Sequence, residues 1–354
     1  MQFTWPSSFG LLKIQSLNFL TKDQLLQLAR AADVSEIAQL LDATWYRADI
    51  EAASSEYKQP ESIEVAVNRH LVESNRIALR ACSMFHKNAL LAYLAKWDIE
   101  NIELIIAAKS LGRGLEQAEA FLVSPRNIPV GLSSWVIPLS ELHTLLAQPD
   151  VEAVINSLVK YGYGLVLLPE LGNFRKTGDL GVFSSALQNY YYSKLLWELR
   201  FLQGDEGVVR EYVRAEIAKK NILTLLKSRE SNLDKETFAK HLIGGGLVPN
   251  DTLVESFASP AVGDVVKRLE PWFDLSTALE RYGQNGNLTE FEVSLDKLIA
   301  GKYMPRFRSF SISLTTIFAF VLQSEFERQN IRRITYAKQY GMTEEYIRSI
   351  ILTW

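Results

Sequence analysis

The chain has 354 residues, of which 47% are apolar, so it is long enough to bury a substantial core in two or three domains. A net charge of −3 and a charged fraction of 22% give no reason to expect a nucleic-acid partner. The single cysteine, Cys82, excludes a disulfide framework and indicates a reducing compartment.

No segment of the sequence has the pattern of a targeting or membrane-spanning element. Residues 1–6 lack the basic region and the long apolar core of a signal peptide. The most apolar stretch, residues 310–322, contains four hydroxyl side chains and is shorter than the roughly 20 residues that cross a bilayer. We therefore expect a buried helix there, in a protein that could attach to a membrane complex without spanning the bilayer.

Helical signals begin early in the first third of the chain. Thr21 and Gln24 form a capping box before a helix over residues 25–32, and Ser35-Glu36 opens a helix toward residue 43. Residues 61–92 form one long helix or a close pair, and helices over residues 97–109 and 115–122 follow. Residues 124–138 contain Pro and Gly and are predicted to be a link.

The second third repeats this helical character. Asp150 is the predicted N-cap of a helix over residues 151–160, and residues 161–169 indicate a turn with a short helix or an extended link. Two long helices, over residues 183–203 and 208–227, are separated by a Gly-containing break. A helix over residues 235–243 then ends at three glycines, residues 244–246, which are the predicted hinge.

In the last third, Asn250 is predicted to cap one helix, and Ser259-Pro260 the next, with Pro at its first position. Further helices are predicted over residues 273–282, 291–300, 310–338 and 343–352. The predicted fold class is therefore all-α, with no strand pairing.

One helical pattern occurs three times. Each copy reads Asn-Ile-x-x-Ile/Leu, with a base eight residues after the Asn and, three residues further, a residue that tolerates positive φ. The spacings of the Asn residues are 120 and 109 residues, near one third of the chain. The copies are Asn101 with Lys109 and Gly112, Asn221 with Arg229 and Asn232, and Asn330 with Lys338 and Gly341.

Two further patterns recur in the same order. One includes Val34, Val151 and, less closely, Val262, at offsets of 117 and 111; the other aligns Asn68, Gln188 and Asp296 at offsets of 120 and 108. Three patterns in one order predict an internal repeat with units over residues 1–130, 131–243 and 244–354, each of five or six helices.

The residues offer no catalytic group, cofactor site or metal site. The four histidines lack paired metal-ligand spacing and are interpreted as surface or core imidazoles. Residues 172–177 end in Lys-Thr, as a phosphate loop does, but no Gly precedes the Lys and no strand precedes the segment. Most acids are predicted to cap helices or to lie on solvated faces opposite Lys and Arg.

The repeat helix, with its Asn-Ile-x-x-Ile pattern and basic last turn, resembles the C subunit of the archaeal and bacterial A/V-type rotary ATPases, the counterpart of the eukaryotic d subunit. The resemblance is strongest over residues 313–332, where an apolar helix continues into Glu-Phe-Glu-Arg-Gln-Asn-Ile-Arg, and it also covers residues 190–225 and 40–46. The chain departs from the family pattern at residues 8–17, in place of a Tyr/Ala-rich segment, and at Arg328-Gln329-Asn330.

The resemblance implies a mechanical role. Members of the family fold as three similar helical units around a pseudo-threefold axis, forming a funnel that caps the membrane proteolipid ring and receives the tip of the central shaft. Such a protein is cytoplasmic, peripheral to the membrane and non-catalytic, and it needs no cofactor. Arg332 and Arg333 are our candidates for residues that face a partner, with an ordinary solvated helix face as the alternative.

Two other classes remain open on the residues alone. A helical adaptor would carry repeats of about 35–45 residues, and an all-α enzyme would need convergent titratable groups. Co-purification with the shaft and ring proteins separates a rotor part from both.

Overall fold

The computed structural model describes residues 6–112, 118, 121–122, 137–309 and 313–353. Within these residues every regular element is a helix, so the predicted all-α class is confirmed. The predicted helix over residues 115–122 and the link over residues 124–138 lie largely outside the described residues.

The described helices follow one another with short connections, as is usual for packed helical proteins. The first third contains seven: α1 Pro6–Ser16, α2 Lys22–Arg30, α3 Val34–Asp42, α4 Arg47–Ser54, α5 Glu61–Ala81, α6 Lys87–Leu94 and α7 Lys96–Ser110. The middle third contains α8 Leu139–Leu146, α9 Val151–Ser157, α10 Tyr163–Leu167, α11 Leu171–Thr177, α12 Gly181–Glu198, α13 Gly207–Glu230 and α14 Lys235–Lys240. The last third contains α15 Asn250–Phe257, α16 Val262–Leu269, α17 Ser276–Asn285, α18 Thr289–Ser309, α19 Leu314–Gln339 and α20 Glu344–Ile350.

Several helices begin where the sequence predicts a cap. The Thr21 hydroxyl accepts from the Gln24 N–H at 3.2 Å, and the Gln24 side chain accepts from the Thr21 N–H at 2.8 Å, which completes the capping box. Asp150 accepts from the Ala153 N–H at 2.8 Å. Each contact satisfies an N–H that the first turn of the helix leaves without a partner.

Two predicted caps in the last third are wrong by one to two residues. Asn250 is the first residue of α15 and Pro249 is the N-cap, because the Asn250 side chain is turned to the amide of Asn221 at 3.3 Å. Helix α16 begins at Val262 rather than Pro260. There the Asp264 carboxylate, in the first turn, accepts from the Ala261 N–H at 3.3 Å and sets the start of the helix.

The middle third follows the sequence prediction in outline and differs at helix ends. Residues 161–169 form a turn with a short helix, the first of the two predicted alternatives: a left-handed Gly162 is followed by α10 and a 3₁₀ turn at Leu168–Glu170. The Lys-Thr segment at residues 172–177 lies within α11. The long helix predicted over residues 183–203 ends at Glu198 and continues as a 3₁₀ turn, Leu199–Phe201.

The order of helices recurs along the chain with the offsets that the sequence patterns have. Helices α2, α8 and α15 start at residues 22, 139 and 250, and α3, α9 and α16 start at residues 34, 151 and 262. The long helices α7, α13 and α19, which carry the repeat Asn, end at residues 110, 230 and 339. The arrangement of three units around an axis stays a prediction.

The chain divides into two compact units. The first contains residues 1–171 and 311–351, and in it α19 packs along α5 and also contacts α1, α2 and α3. The second contains residues 172–310 and 352–354, and its main contact is α13 packed on α18.

The apolar stretch near the C-terminus is a buried helix, as predicted, over its described residues. Leu314, Ile317, Phe318, Val321 and Leu322 are each at most 1% exposed within α19. None of the helices in the described part of the chain has both the length and the apolar content to cross a membrane.

Candidate functional site

The three copies of the Asn-Ile pattern occupy equivalent places in α7, α13 and α19. Asn101, Asn221 and Asn330 are at most 2% exposed, and the Ile that follows each Asn is fully buried. Over the ten residues from each Asn, the order of buried, half-buried and exposed positions is the same in all three helices, except that Lys227 is exposed where its counterparts are half-buried. The sequence repeat is therefore also a repeat of side-chain environment.

The environment of Asn221 shows what such a residue does. Its amide N–H donates to the Ile243 carbonyl at 2.8 Å, and its amide oxygen accepts from the Ile243 N–H at 2.9 Å. Asn is a poor helix former, so its place inside α13 is explained by these bonds to the chain after α14. They hold in place the segment that includes the predicted hinge.

That glycine segment is also held by an arginine. Arg214 donates to the carbonyls of Gly245 and Gly246, both at 3.2 Å, and its own carbonyl accepts from the Leu247 N–H at 2.9 Å. A Cβ at Gly246 would lie 3.1 Å from the Ile217 side chain, so the segment approaches α13 closely. The glycines here serve close packing as well as a change of direction.

Each of the three helices ends at a residue with a left-handed backbone. The φ angles are +65° at Gly112, +53° at Asn232 and +69° at Gly341. The Leu233 N–H bonds the Ser228 carbonyl, and the Met342 N–H bonds the Ala337 carbonyl, each at 2.9 Å. The left-handed residues Asn232 and Gly341 also donate, to the carbonyls of Arg229 and Lys338 three residues earlier. Together the two bonds at each end form the Schellman motif, which satisfies the last carbonyls of a helix.

In the second copy, the base eight residues after the Asn donates to backbone carbonyls of a neighbouring segment. Arg229 donates to the carbonyls of Phe257 at 2.7 Å and Ser259 at 2.6 Å, and it also reaches those of Ser256 and Pro260 at 3.4 Å. These carbonyls lie at the C-terminal end of α15, where a cation is favoured by the helix dipole. Lys109 and Lys338 are half-buried at the corresponding positions.

A lysine two residues before Asn221 joins α13 to α18. The Lys219 ammonium contacts Asp296 at 2.8 Å and Glu216 at 3.0 Å, and the Asp296 side chain is only 3% exposed. Burial lowers the pKa of Lys219, but the two carboxylates outweigh it and raise that pKa overall. The lysine therefore stays charged inside the packed helix pair.

An arginine two residues before Asn330 makes the equivalent contact between α19 and α5. The Arg328 Nε donates to the Asn68 oxygen at 2.6 Å, and Asn68 is the position that the sequence aligns with Asp296. Arg328 also contacts Glu100 at 3.3 Å and Glu64 at 3.7 Å, and it lies 5.1 Å from the centre of the Trp97 ring. Burial lowers the pKa of Arg328 from its ordinary value.

The two arginines chosen as partner-facing candidates are both half-buried and bonded within the first unit. Arg332 donates from Nε to Glu64 at 2.7 Å, and its side chain is 33% exposed. Burial lowers its pKa, but the nearby groups, with Glu64 foremost, raise that pKa overall. Arg333 donates to the Ile350 carbonyl at 3.2 Å. Their role toward a partner stays a prediction, and only their exposed atoms are available for it.

Next to these residues, the carboxylate of Glu327 is buried in α19. Glu327 is 3% exposed and accepts from the Leu20 N–H at 2.5 Å, the Tyr46 hydroxyl at 2.9 Å and the Trp45 indole N–H at 3.2 Å. Burial raises the pKa of Glu327 to about 7, although all three donors lower it. The carboxyl thus ties the N-terminal helices to α19.

This polar network was not predicted from the sequence, because acids on a helix were interpreted as capping or solvated. The expectation of solvated acids is wrong for a set of carboxylates that the structure buries: Glu64, Asp98, Glu290, Asp296 and Glu327. Glu64, Asp98 and Glu290 do lie in the first turns of their helices, as predicted. The sequence did contain a signal for these contacts, since Lys219 and Arg328 both lie two residues before a repeat Asn. Their partners, Asp296 and Asn68, are also aligned with each other in the sequence.

Among the described residues, no group of three or more His, Cys, Asp and Glu side chains is placed to hold a metal ion. Polar groups contact the rings of several histidines: His70 contacts Asp49, His86 contacts Ser83, and His241 contacts Ser185.

Known proteins share this sequence along nearly its whole length. A family model described as ATP synthase (C/AC39) subunit matches residues 10–350. The chain is 38% identical to the C subunit of the A-type ATP synthase of Thermoplasma volcanium over 99% of both chains. It is 35% identical to the protein of the same name from Thermoplasma acidophilum, over 100% of this chain and 99% of that one. The protein of that name from Methanocaldococcus jannaschii is 26% identical over 93% of this chain and 82% of its own length.

Proposed function

Because the chain belongs to the ATP synthase (C/AC39) subunit family, we propose that it is the central-stalk subunit of a rotary A/V-type ATPase or ATP synthase. In this role it joins the rotating shaft to the membrane proteolipid ring and transmits torque between ATP turnover and ion transport. The observation that carries the proposal is the match along nearly the whole chain to relatives named as the C subunit of A-type ATP synthases.

The proposed architecture is three helical repeats, over residues 1–130, 131–243 and 244–354, around a pseudo-threefold axis. Two contacts support it. In the second compact unit, Lys219 before Asn221 bonds Asp296 of α18. In the first compact unit, Arg328 before Asn330 bonds Asn68 of α5, the position that aligns with Asp296. The same residue positions thus join the Asn-bearing helix of one proposed repeat to the long helix that carries the aligned residue in another.

Such joints suit a part that must carry torque. Buried charged pairs have strict geometric requirements, and removal of one partner is strongly unfavourable. A helix pair fastened by Lys219 and Asp296 therefore resists sliding along its axis more than an apolar contact of the same size would. We propose that the protein acts as a stiff spacer, without cofactor and without chemistry of its own, peripheral to the cytoplasmic face of the membrane.

The exposed parts of Arg332 and Arg333 remain our proposed contacts to a neighbouring protein of the complex. Replacing both by Gln should weaken assembly with the shaft by about tenfold, as for a few lost charge-assisted bonds. The matched control is Arg47→Gln, since Arg47 is 68% exposed and pairs with Glu51 one turn away. Equal assembly of the double variant and the control, measured by pull-down at several salt concentrations, would remove these arginines from the interface.

The function itself is tested by reconstitution. Membrane-embedded complexes are assembled with and without this chain, and ATP turnover and ion uptake are followed together. We expect the soluble head to keep hydrolysing ATP without the chain while ion uptake stops, because shaft and ring are no longer joined. The purified chain should neither bind nor hydrolyse nucleotide. Undiminished ion uptake in its absence would refute the proposal.

A further inference from the structure

The environment of Glu327 combines two opposing effects on one buried carboxyl. Three donors from two places in the N-terminal part of the chain point at it: the Leu20 N–H, and the Trp45 indole N–H and Tyr46 hydroxyl of one turn. Donors of this kind favour the carboxylate, whereas burial favours the neutral acid. Burial outweighs the three donors and raises the pKa of Glu327 to about 7, so its charge changes close to neutral pH.

The aromatic side chains around the carboxyl extend the cluster. Phe19 packs edge-on against Trp45, with ring centres 4.9 Å apart. The His70 ring lies 4.2 Å from that of Trp45 and 4.3 Å from that of Tyr46. The segment before α2 and the turn before α4 therefore meet α19 at this side chain, and His70 of α5 packs on the two aromatic rings of that turn. A change in Glu327 acts on all of these contacts.

Other charged groups on the surrounding elements have partners of their own or are exposed. Asp49 on α4 pairs with His70 on α5 at 2.9 Å, and on α19 itself Glu325 pairs with Lys96 and Arg328 with Asn68 and Glu100. On α1 and α2 the charged side chains are exposed: Lys13, Lys22, Asp23 and Arg30. Tyr46 is a donor to Glu327, and its own pKa is raised well above the ordinary value by burial and by Glu327. His70 and Glu327 are therefore the two groups of this cluster to separate by experiment.

We propose that Glu327 and its three donors form a pH-sensitive joint that holds helices α2–α4 on α19 in acid and loosens them as the pH rises through neutrality. The direction follows from linkage. In the closed joint the pKa of Glu327 is about 7, against an ordinary 4.5 once water reaches the carboxyl. The closed form therefore binds the proton more tightly, its advantage is complete below about pH 4.5, and it is lost as the pH rises to 7. This inference does not depend on the proposed function.

Hydrogen exchange of the intact chain tests the joint. Protection of the backbone over residues 17–30 and 44–54 is measured from pH 5 to pH 8 and corrected for the intrinsic exchange rate. We expect protection to fall by on the order of 10²-fold across this range, as a pKa difference of about 2.5 units implies. Helix α16, in the other compact unit, serves as the internal reference and should not follow the same curve.

Two variants identify the titrating group. Glu327→Gln keeps the size of the side chain and an oxygen acceptor but cannot ionise, so the fall in protection should disappear. His70→Gln removes the imidazole and should leave the fall in place. Retention of the fall in the first variant, its loss in the second, or its absence in the wild-type chain would each overturn the proposal.

A measurement on the wild-type chain covers the case in which Glu327→Gln does not fold. The indole N–H resonance of Trp45, assigned by its absence in Trp45→Phe, should shift with a midpoint near pH 7, because its acceptor changes charge there. A resonance that stays constant through that range would also overturn the proposal.

Discussion

At the residue scale, the contact between Lys219 and Asp296 is the clearest case of a buried charge that holds two helices together. The lysine side chain is 17% exposed and the aspartate 3% exposed, so neither group can recover hydration while the helices stay packed. Burial of ions is costly, and their mutual attraction offsets the cost only while both partners are present. The pair therefore fixes the register of α13 on α18 more than it adds to total stability.

Removal of one partner should expose this cost. We expect Lys219→Met to lower the free energy of unfolding by about 3 kcal/mol, because Asp296 is left in the packed interface without the lysine. The double variant Lys219→Met with Asp296→Leu should recover most of that loss. Denaturant unfolding with a constant m-value provides the measurement.

The same two helices supply the control. Arg306 on α18 and Glu211 on α13 form an ion pair whose side chains are 41% and 50% exposed. Solvent screens such a pair, so Glu211→Gln should change the free energy of unfolding by no more than about 1 kcal/mol. If the exposed pair and the buried pair gave equal losses, burial could not be the cause.

The repeat asparagines make a second prediction at this scale. Asn221→Ala removes both bonds to Ile243 and should cost about 1–3 kcal/mol, since the backbone groups of Ile243 stay buried. Asn330 is fully buried, and Asn330→Ala should fall in the same range. Asn88 is exposed near the start of α6, and Asn88→Ala should stay within about 0.5 kcal/mol of the wild type. Losses as small as this at Asn221 and Asn330 would contradict their structural role.

What the sequence could predict differs between these residues. The Asn pattern was recognisable because it recurs with the same apolar neighbours and the same spacing. The burial of Glu327 and Arg328 was not, because their partners Leu20, Tyr46 and Asn68 lie more than 250 residues away in the chain. Helical periodicity shows which face of a single helix is apolar, but it does not identify the partner that covers that face. In addition, α19 is packed on more than one side.

At the element scale, the left-handed helix ends follow directly from local sequence. Gly112, Asn232 and Gly341 were each identified by position alone, and each has a positive φ. Gly tolerates this conformation because it has no Cβ, and Asn tolerates it better than other residues. Local chemistry decides a helix stop, so a pattern in the sequence suffices to find it.

Substitutions with alanine separate backbone strain from packing. A Cβ at Gly341 would meet no atom within 4 Å, so Gly341→Ala should lower the free energy of unfolding by about 1–2 kcal/mol through its φ of +69° alone. A Cβ at Gly283, inside α17, also meets nothing, and its φ is ordinary. Gly283→Ala should therefore raise the free energy of unfolding by about 0.5–1 kcal/mol. Thermal unfolding that shifted in the same direction for both variants would contradict this account.

Helix starts in the last third were less predictable for a physical reason. Asn250 and Pro260 both have the residue type of a helix start, but tertiary contacts use them otherwise. The Asn250 side chain meets Asn221, and the carbonyls at Ser259 and Pro260 are bonded by Arg229. Long-range partners thus compete with local capping, and the sequence alone does not show which of them prevails.

At the scale of the whole molecule, the recurrence of helices is the feature that sequence predicted best. The offsets between α2, α8 and α15 equal those of the sequence pattern that includes Val34, Val151 and Val262. The pattern was readable because each repeat must bury its own apolar face and so keeps the same spacing. The pairing of the last long helix with the first repeat was not readable, since no local signal specifies a distant partner.

That pairing has a consequence for how the chain is made. Helix α19 fills the core beside α5, yet it is synthesised more than 200 residues later, and the bond from Leu20 to Glu327 spans 307 residues. The first compact unit therefore cannot complete its packing until the last helices have left the ribosome. The apolar faces of α2, α3 and α5 stay without their final cover for tens of seconds at ordinary rates of synthesis.

The second unit is under no such delay, because α13 and α18 are neighbours in the same stretch of chain. A chain ended after residue 309 should thus keep protected amides in α13 and α18 while α2–α5 exchange freely and bind chaperones. The order of synthesis makes the amino end of this protein the last part to become native.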